Sequence, residues 1–70
     1  MEYYLGIDLG GTNIKAGVVD DAFHIIGRAK AKTGIPRPAE EVMDAMAECA
    51  KAAAADAGVP WEKIRRIGIG

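Results

Sequence analysis

Gly6-Ile7-Asp8-Leu9-Gly10-Gly11-Thr12-Asn13 is the stretch on which the fold turns. An apolar run, Tyr3 to Ile7, leads straight into Asp8. Two adjacent glycines and two small polar residues follow, and a second β-branched run, Ile14 to Val19, begins at once. The pattern is strand, tight turn, strand. Gly10 and Gly11 reach dihedrals closed to other residues and carry no side chain, so main-chain N–H groups there can approach an anion closely. Thr12 and Asn13 add side-chain donors. Asp8, at the strand's end, stands where a Mg²⁺ ion or its bound water would neutralise a triphosphate. The stretch suits nucleotide phosphates.

Two better-known phosphate loops are excluded. A Walker A loop needs Gly, four residues, Gly, then Lys and Ser or Thr. Gly6 and Gly11 have that separation, but Thr12-Asn13 stands where the lysine should be. A dinucleotide fingerprint needs Gly-x-Gly-x-x-Gly opening a helix, and here a strand follows instead.

Gly6 to Asp20 resembles the first phosphate motif of the sugar kinase, heat-shock chaperone and actin superfamily, and within it the ROK-family sugar kinases of glucokinase type. The chaperones usually read Gly-Thr-Thr-Asn where this chain has Gly10-Gly11-Thr12-Asn13, so Gly11 favours the kinases. The likeness runs on through a hairpin and a helix to Ile67-Gly68-Ile69-Gly70. It implies an α/β, ribonuclease H-like lobe of the actin-like ATPase type, opening βββαβ. It also implies ATP and Mg as cofactors and a hexose, glucose above all, as the other substrate. Under the resemblance Asp8 positions the metal of Mg-ATP, through a water, and Gly10, Gly11 and Thr12 contact the terminal phosphates. Asn13 follows less directly. Lys15 either assists the phosphates or is a plain surface lysine. The general base would be an aspartate beyond Gly70, and the family's zinc site, where present, uses cysteines far downstream.

Kinases of this kind continue for some hundreds of residues, so residues 1–70 are expected to be the N-terminal part of one lobe, cut within its fourth strand and inactive alone. Two rivals stay open. A sugar-sensing ROK transcriptional regulator usually has a degraded phosphate motif preceded by a DNA-binding helix pair. A chaperone-like or actin-like ATPase is disfavoured by the double glycine.

Composition narrows the classes further. Seventy residues make one small domain, burying roughly 60% of the unfolded surface. Half the residues are hydrophobic (50%), 27% are charged, and the net charge is −1, which gives no reason to invoke nucleic acid or an anionic membrane. Met1-Glu2-Tyr3-Tyr4 has no basic leader, and no apolar run could span a bilayer. A single cysteine cannot form an internal disulfide. The expectation is a cytoplasmic protein with a reduced thiol.

Along the chain, Tyr3 to Leu9 reads as a central strand covered on both faces. Ile14 to Asp20 should run antiparallel to it, and Ile25 to Lys32 should return after a turn at Asp20 to His24. Alternation places Arg28, Lys30 and Lys32 on one face of that third strand and Ile25, Gly27, Ala29 and Ala31 on the other, as befits a charged edge. Thr33 to Pro38 is linker-like. A helix starting near Pro38 has Glu40 and Glu41 at its positive end and an apolar face of Val42, Met46, Cys49, Ala50, Ala53 and Ala57, and Gly58 stops it. Trp61 to Arg66 reads as a turn into the last strand, and Ile64 to Gly70 as the start of that strand, buried, reached by a right-handed crossover and parallel to the first.

The remaining candidates have plain readings. Asp20 and Asp21 are solvated turn acids, and His24 lacks an acid or serine placed to use it. Cys49 is a small buried thiol. Met43 and Met46 pack, and Trp61 covers the helix end. One helix can cover one sheet face only, so the opposite face and the last strand should expose apolar surface. Association with itself, as a homo-oligomer, or with the missing remainder follows from that.

Overall fold

The computed structural model describes residues 2–34 and 38–70. The β-branched and apolar runs form β1 (Tyr3–Leu9) and β2 (Asn13–Asp20), paired antiparallel from Tyr3↔Asp20 to Leu9↔Ile14. β3 (Ile25–Lys32) returns antiparallel along β2. Helix α1 (Ala39–Ala57) and a short 3₁₀ turn (Trp61–Lys63) then lead to β4 (Ile64–Ile69), which lies parallel to β1. The sheet order is β3-β2-β1-β4, so β1 and β2 are central and β3 and β4 are edges. This is the expected βββαβ arrangement. Of the linker-like stretch, residues 35–37 lie outside the described residues.

The core is the contact between α1 and one sheet face. Leu5, Ile7, Ile14, Ala16 and Val18 alternate onto that face and meet Cys49, Ala50, Ala53 and Ala54. Ala45, Met46 and Ala57 pack around them. The small alanines let the helix sit close to the strands. At Gly27 it sits so close that a Cβ would lie 2.5 Å from the Ala53 carbonyl oxygen and from the Ala57 Cβ. α1 begins at Pro38, whose extended dihedrals make it the N-cap and whose carbonyl accepts the Glu41 and Val42 amides. Gly58 ends it in the left-handed conformation (φ 69°). The Gly58 amide reaches the Ala55 carbonyl and the Val59 amide that of Ala54, so the orphan carbonyls are satisfied.

Four expectations need correction. Ile25 does not share a face with Gly27: a bulge pairs Val18 with Gly27 and Val19 with Ile25, which turns Ile25 to the opposite side, 54% exposed. β4 begins at Ile64 as expected, which confines the turn to Trp61–Lys63, but it is not buried, since Ile67 and Ile69 are 50% and 63% exposed. Their register with Leu5 and Ile7 puts both isoleucines on the helix side. α1 lies mainly over β3 and β2, which leaves an apolar groove over β1 and β4 walled by Ile7, Met46, Trp61, Ile67 and Ile69. Met43, expected to pack, is exposed on the same groove.

The last correction concerns the other sheet face, which no described element covers. β1 is therefore covered on one side only, and the open side is not the apolar surface expected. Its register rows read Lys32–Asn13, then Lys30–Lys15–Asp8, then Arg28–Gly17–Gly6–Gly68, then Ile25–Val19–Tyr4–Arg66. Charge and glycine dominate it.

Candidate functional site

The β1–β2 turn is short because Gly10 donates its amide to the Asn13 carbonyl at 2.9 Å, closing the hairpin over Gly11 and Thr12. Neither Gly10 nor Gly11 takes a left-handed φ, so their dihedral freedom is not what the turn uses. The need for glycine is steric. A Cβ on Gly10 would stand 3.2 Å from the Asn13 carbonyl oxygen, tighter than is comfortable. A Cβ on Gly11 would meet nothing within 4 Å. The turn itself therefore does not require a glycine at position 11.

The residues just past β4 and β3 hold this turn in place. The Leu9 amide reaches the Gly70 carbonyl at 3.1 Å, and the Gly70 amide reaches Ile7 at 2.9 Å. From the other side Thr33, 3% exposed, donates its hydroxyl to the Gly10 carbonyl at 2.8 Å and its amide to the Thr12 carbonyl at 3.0 Å. Sequence reasoning left Thr33 in a linker. A buried threonine just past a strand is its only local signal, and its target is 23 residues away.

Asp8 and Lys15 are exposed cross-strand partners on the open face, and Asn13, in the same strand as Lys15, shares it. Gly10, Gly11 and Thr12 make the tip beyond them. The structure thus brings all six candidates to one end of the sheet. It adds two unforeseen neighbours: Lys30 stands opposite Lys15 and Lys32 opposite Asn13. Among the described residues neither Asp8 nor any of these lysines is in an ion pair. No group of three or more metal-ligating side chains exists among them either. A divalent ion here would have Asp8 as its protein anchor and phosphate and water for the rest, a donor set that suits Mg²⁺.

The other titratable groups serve the fold. Asp20 is a turn staple: its Oδ1 accepts the Ala22 and His24 amides, both at 2.9 Å, and the His24 amide above all holds its carboxyl below the usual range. Its Oδ2 lies 3.5 Å from His24 Nδ1, so His24, expected to lack an acid placed to use it, has one beside it. Cys49 is buried and donates Sγ–H to the Ile14 carbonyl at 3.8 Å, and burial pushes its thiol up.

A model of the ROK family matches residues 4–70. The chain belongs to the ROK family. No curated protein matches it significantly. Among solved structures this ROK chain is similar to a ROK family glucokinase from Streptomyces griseus in complex with glucose and AMPPNP. Identity there is 35%, the TM-score 0.79, and the match covers 97% of this chain and 20% of that one. It is also similar to the ROK hexokinase from Thermus thermophilus, at 37% identity and TM-score 0.84, over 97% of this chain and 22% of that one. A diol dehydratase-reactivating factor in nucleotide-free form matches at 26% identity and TM-score 0.79, over all of this chain and 12% of that one. The ROK chain therefore spans about a fifth of the kinase structures it matches. Its mixed sheet and single described helix are the opening of the actin-like, ribonuclease H-like lobe. No helix among the described residues is long and apolar enough to cross a membrane.

Proposed function

We propose that residues 1–70 form the nucleotide-phosphate-binding segment of an ATP-dependent hexose kinase, acting on glucose to give glucose 6-phosphate. The observation that carries this reading is the turn itself: a glycine with open space before it, flanked by Asp8 and Lys15 on one face and braced from behind by Thr33. Phosphoryl transfer asks a protein chiefly to position two substrates and to neutralise charge on the migrating group. Here the amides of Gly10, Gly11 and Thr12 would hold the terminal phosphates, Asn13 and Lys15 would add donors, and Asp8 would anchor Mg²⁺. The two similar kinases, one with glucose and AMPPNP bound, support the choice of substrates. The general base and the sugar pocket belong to sequence outside this segment, so the segment alone should release no ADP with glucose.

A titration tests the reading. Adding AMPPNP with Mg²⁺ to the chain should move the amide resonances of Gly10, Gly11 and Thr12, and Gly11→Val should abolish the shifts. Unchanged resonances in the unsubstituted chain would sink it. One second reading is a chaperone-like or actin-like ATPase, and the likeness to a reactivating factor solved in nucleotide-free form agrees with a nucleotide site on this fold outside the kinases. In the full-length protein a kinase releases ADP only when glucose is present, whereas a chaperone-type ATPase needs no sugar.

A further inference from the structure

The end of the open face nearest the β1–β2 turn carries more positive charge than the fold can use. Lys32 stands opposite Asn13 and Lys30 opposite Lys15, in the two register rows behind the glycine tip. Facing these three ammonium groups is a single carboxylate, Asp8, on the other side of Lys15. Helix α1, with Glu40, Asp44 and Glu48, lies against the opposite face of the sheet. Among the described residues none of the three lysines is in an ion pair. Like charges directly opposite, as Lys15 and Lys30 are, weaken a sheet. Edge protection accounts for charge on β3 but not for its sign. A carboxylate at position 30 would guard the edge equally well and would pair with Lys15. Next along the strand the edge is already guarded, because Asp56 Oδ2 accepts the Arg28 amide at 2.9 Å. The surplus of cations becomes favourable only with an anion among them.

We propose that Lys30 and Lys32 make this site selective for a nucleoside triphosphate over the diphosphate. The inference rests on the reading of the turn as a phosphate site and assigns two residues that this reading leaves without a role. The amides of Gly10, Gly11 and Thr12 can hold a terminal phosphate whether two or three phosphates follow one another. Discrimination therefore comes from charge behind the tip. Three lysines against Asp8 leave two positive charges in excess. One Mg²⁺ beside Asp8 doubles that excess, which then matches the charge of a fully ionised triphosphate tail. A diphosphate carries one charge fewer. Lysine suits the task, since its compact charge on a flexible stem follows a phosphate without demanding a fixed fork geometry. Loss of the transferred phosphoryl group would then weaken the hold on the spent nucleotide and favour its release.

Titration calorimetry of the chain with AMPPNP and with ADP, each with Mg²⁺, provides the test. At low salt the triphosphate analogue should bind roughly tenfold tighter, the size expected of two exposed ion pairs. Added salt should erode that preference. Lys30→Gln/Lys32→Gln should cut it to about twofold and flatten its salt dependence, with the thermal melt unchanged or raised because repulsion is relieved. Lys30→Arg/Lys32→Arg, which keeps the charge, should retain the preference, and Lys63→Gln, outside the site, should change nothing. Equal binding of the two nucleotides by the parent chain, or a preference that survives in the glutamine variant, would overturn the proposal while leaving the phosphate turn standing. A chain that binds neither nucleotide would sink the reading of the turn, and this inference with it.

Discussion

At Gly11 the fold and the chemistry make separate demands, and a substitution can separate them. The position has room for a Cβ and an ordinary backbone conformation, so Gly11→Val should leave the melting temperature within a few degrees of the parent chain. The same side chain would fill the approach to the turn, and nucleotide binding should vanish. Thr33 poses the converse case. Thr33→Val keeps the shape but removes the hydroxyl from the part-buried Gly10 carbonyl, a lost hydrogen bond that costs about 0.5–1.5 kcal/mol. Calorimetry should show that loss, and the Gly10 and Thr12 amide resonances should shift without any ligand. A Thr33→Val chain with the parent's stability and spectrum would remove Thr33 from the bracing of the turn.

At the scale of elements, the two hairpin turns and the helix end have different dependences. Asp20 closes the β2–β3 turn only as a carboxylate. Its folded pKa is depressed, so the stability it adds is present above the unfolded value and is lost as pH falls through the folded one. The amides of Ala22 and His24 should therefore titrate together below about pH 4, the ordinary aspartate value. Helix α1 is limited by Gly58 and Gly27. Gly58→Ala forces a side chain into a left-handed residue at about 1 kcal/mol. Gly27→Ala should cost more, about 1–3 kcal/mol of overpacking, because the new methyl meets helix backbone that cannot swing aside. Chemical denaturation would order the pair, and a Gly58→Ala loss larger than that of Gly27→Ala would contradict the close helix–strand contact.

Those residues also show what could be read in advance. Strand and helix bounds followed from alternation, helical spacing and Gly58, each a local signal. The Ile25 bulge did not, because the period of two is broken by one extra residue whose place depends on pairing with β2. Gly27 and Thr33 were invisible for a related reason: their partners are Ala53, Ala57 and Gly10, distant in sequence and close only after folding. In the site, Asp8 to Lys15 was legible as a motif of neighbouring residues, whereas Lys30 and Lys32 enter it only through the register of β3.

For the whole molecule the decisive fact is where α1 lies. Because it sits over β3 and β2, the groove over β1 and β4 is left with Ile67, Ile69, Met43 and Trp61 exposed beside a strand whose outer edge is unpaired. A right-handed connection from β4 to a further parallel strand would run over this same face, next to α1, and would bury the groove. With only residues 1–70 present, that surface and edge remain the cheapest place for two chains to meet, since both backbone pairing and apolar burial are available there. The expected result is concentration-dependent association by light scattering, little weakened by salt because the contact is apolar. Ile67→Lys/Ile69→Lys should shift it to monomer without lowering helix content, since neither side chain is in the core. Arg28→Gln/Lys30→Gln, on the opposite face, should leave association unchanged. A chain that stays monomeric as its concentration rises, or whose association disappears with salt but not with the isoleucine substitutions, would place the contact elsewhere.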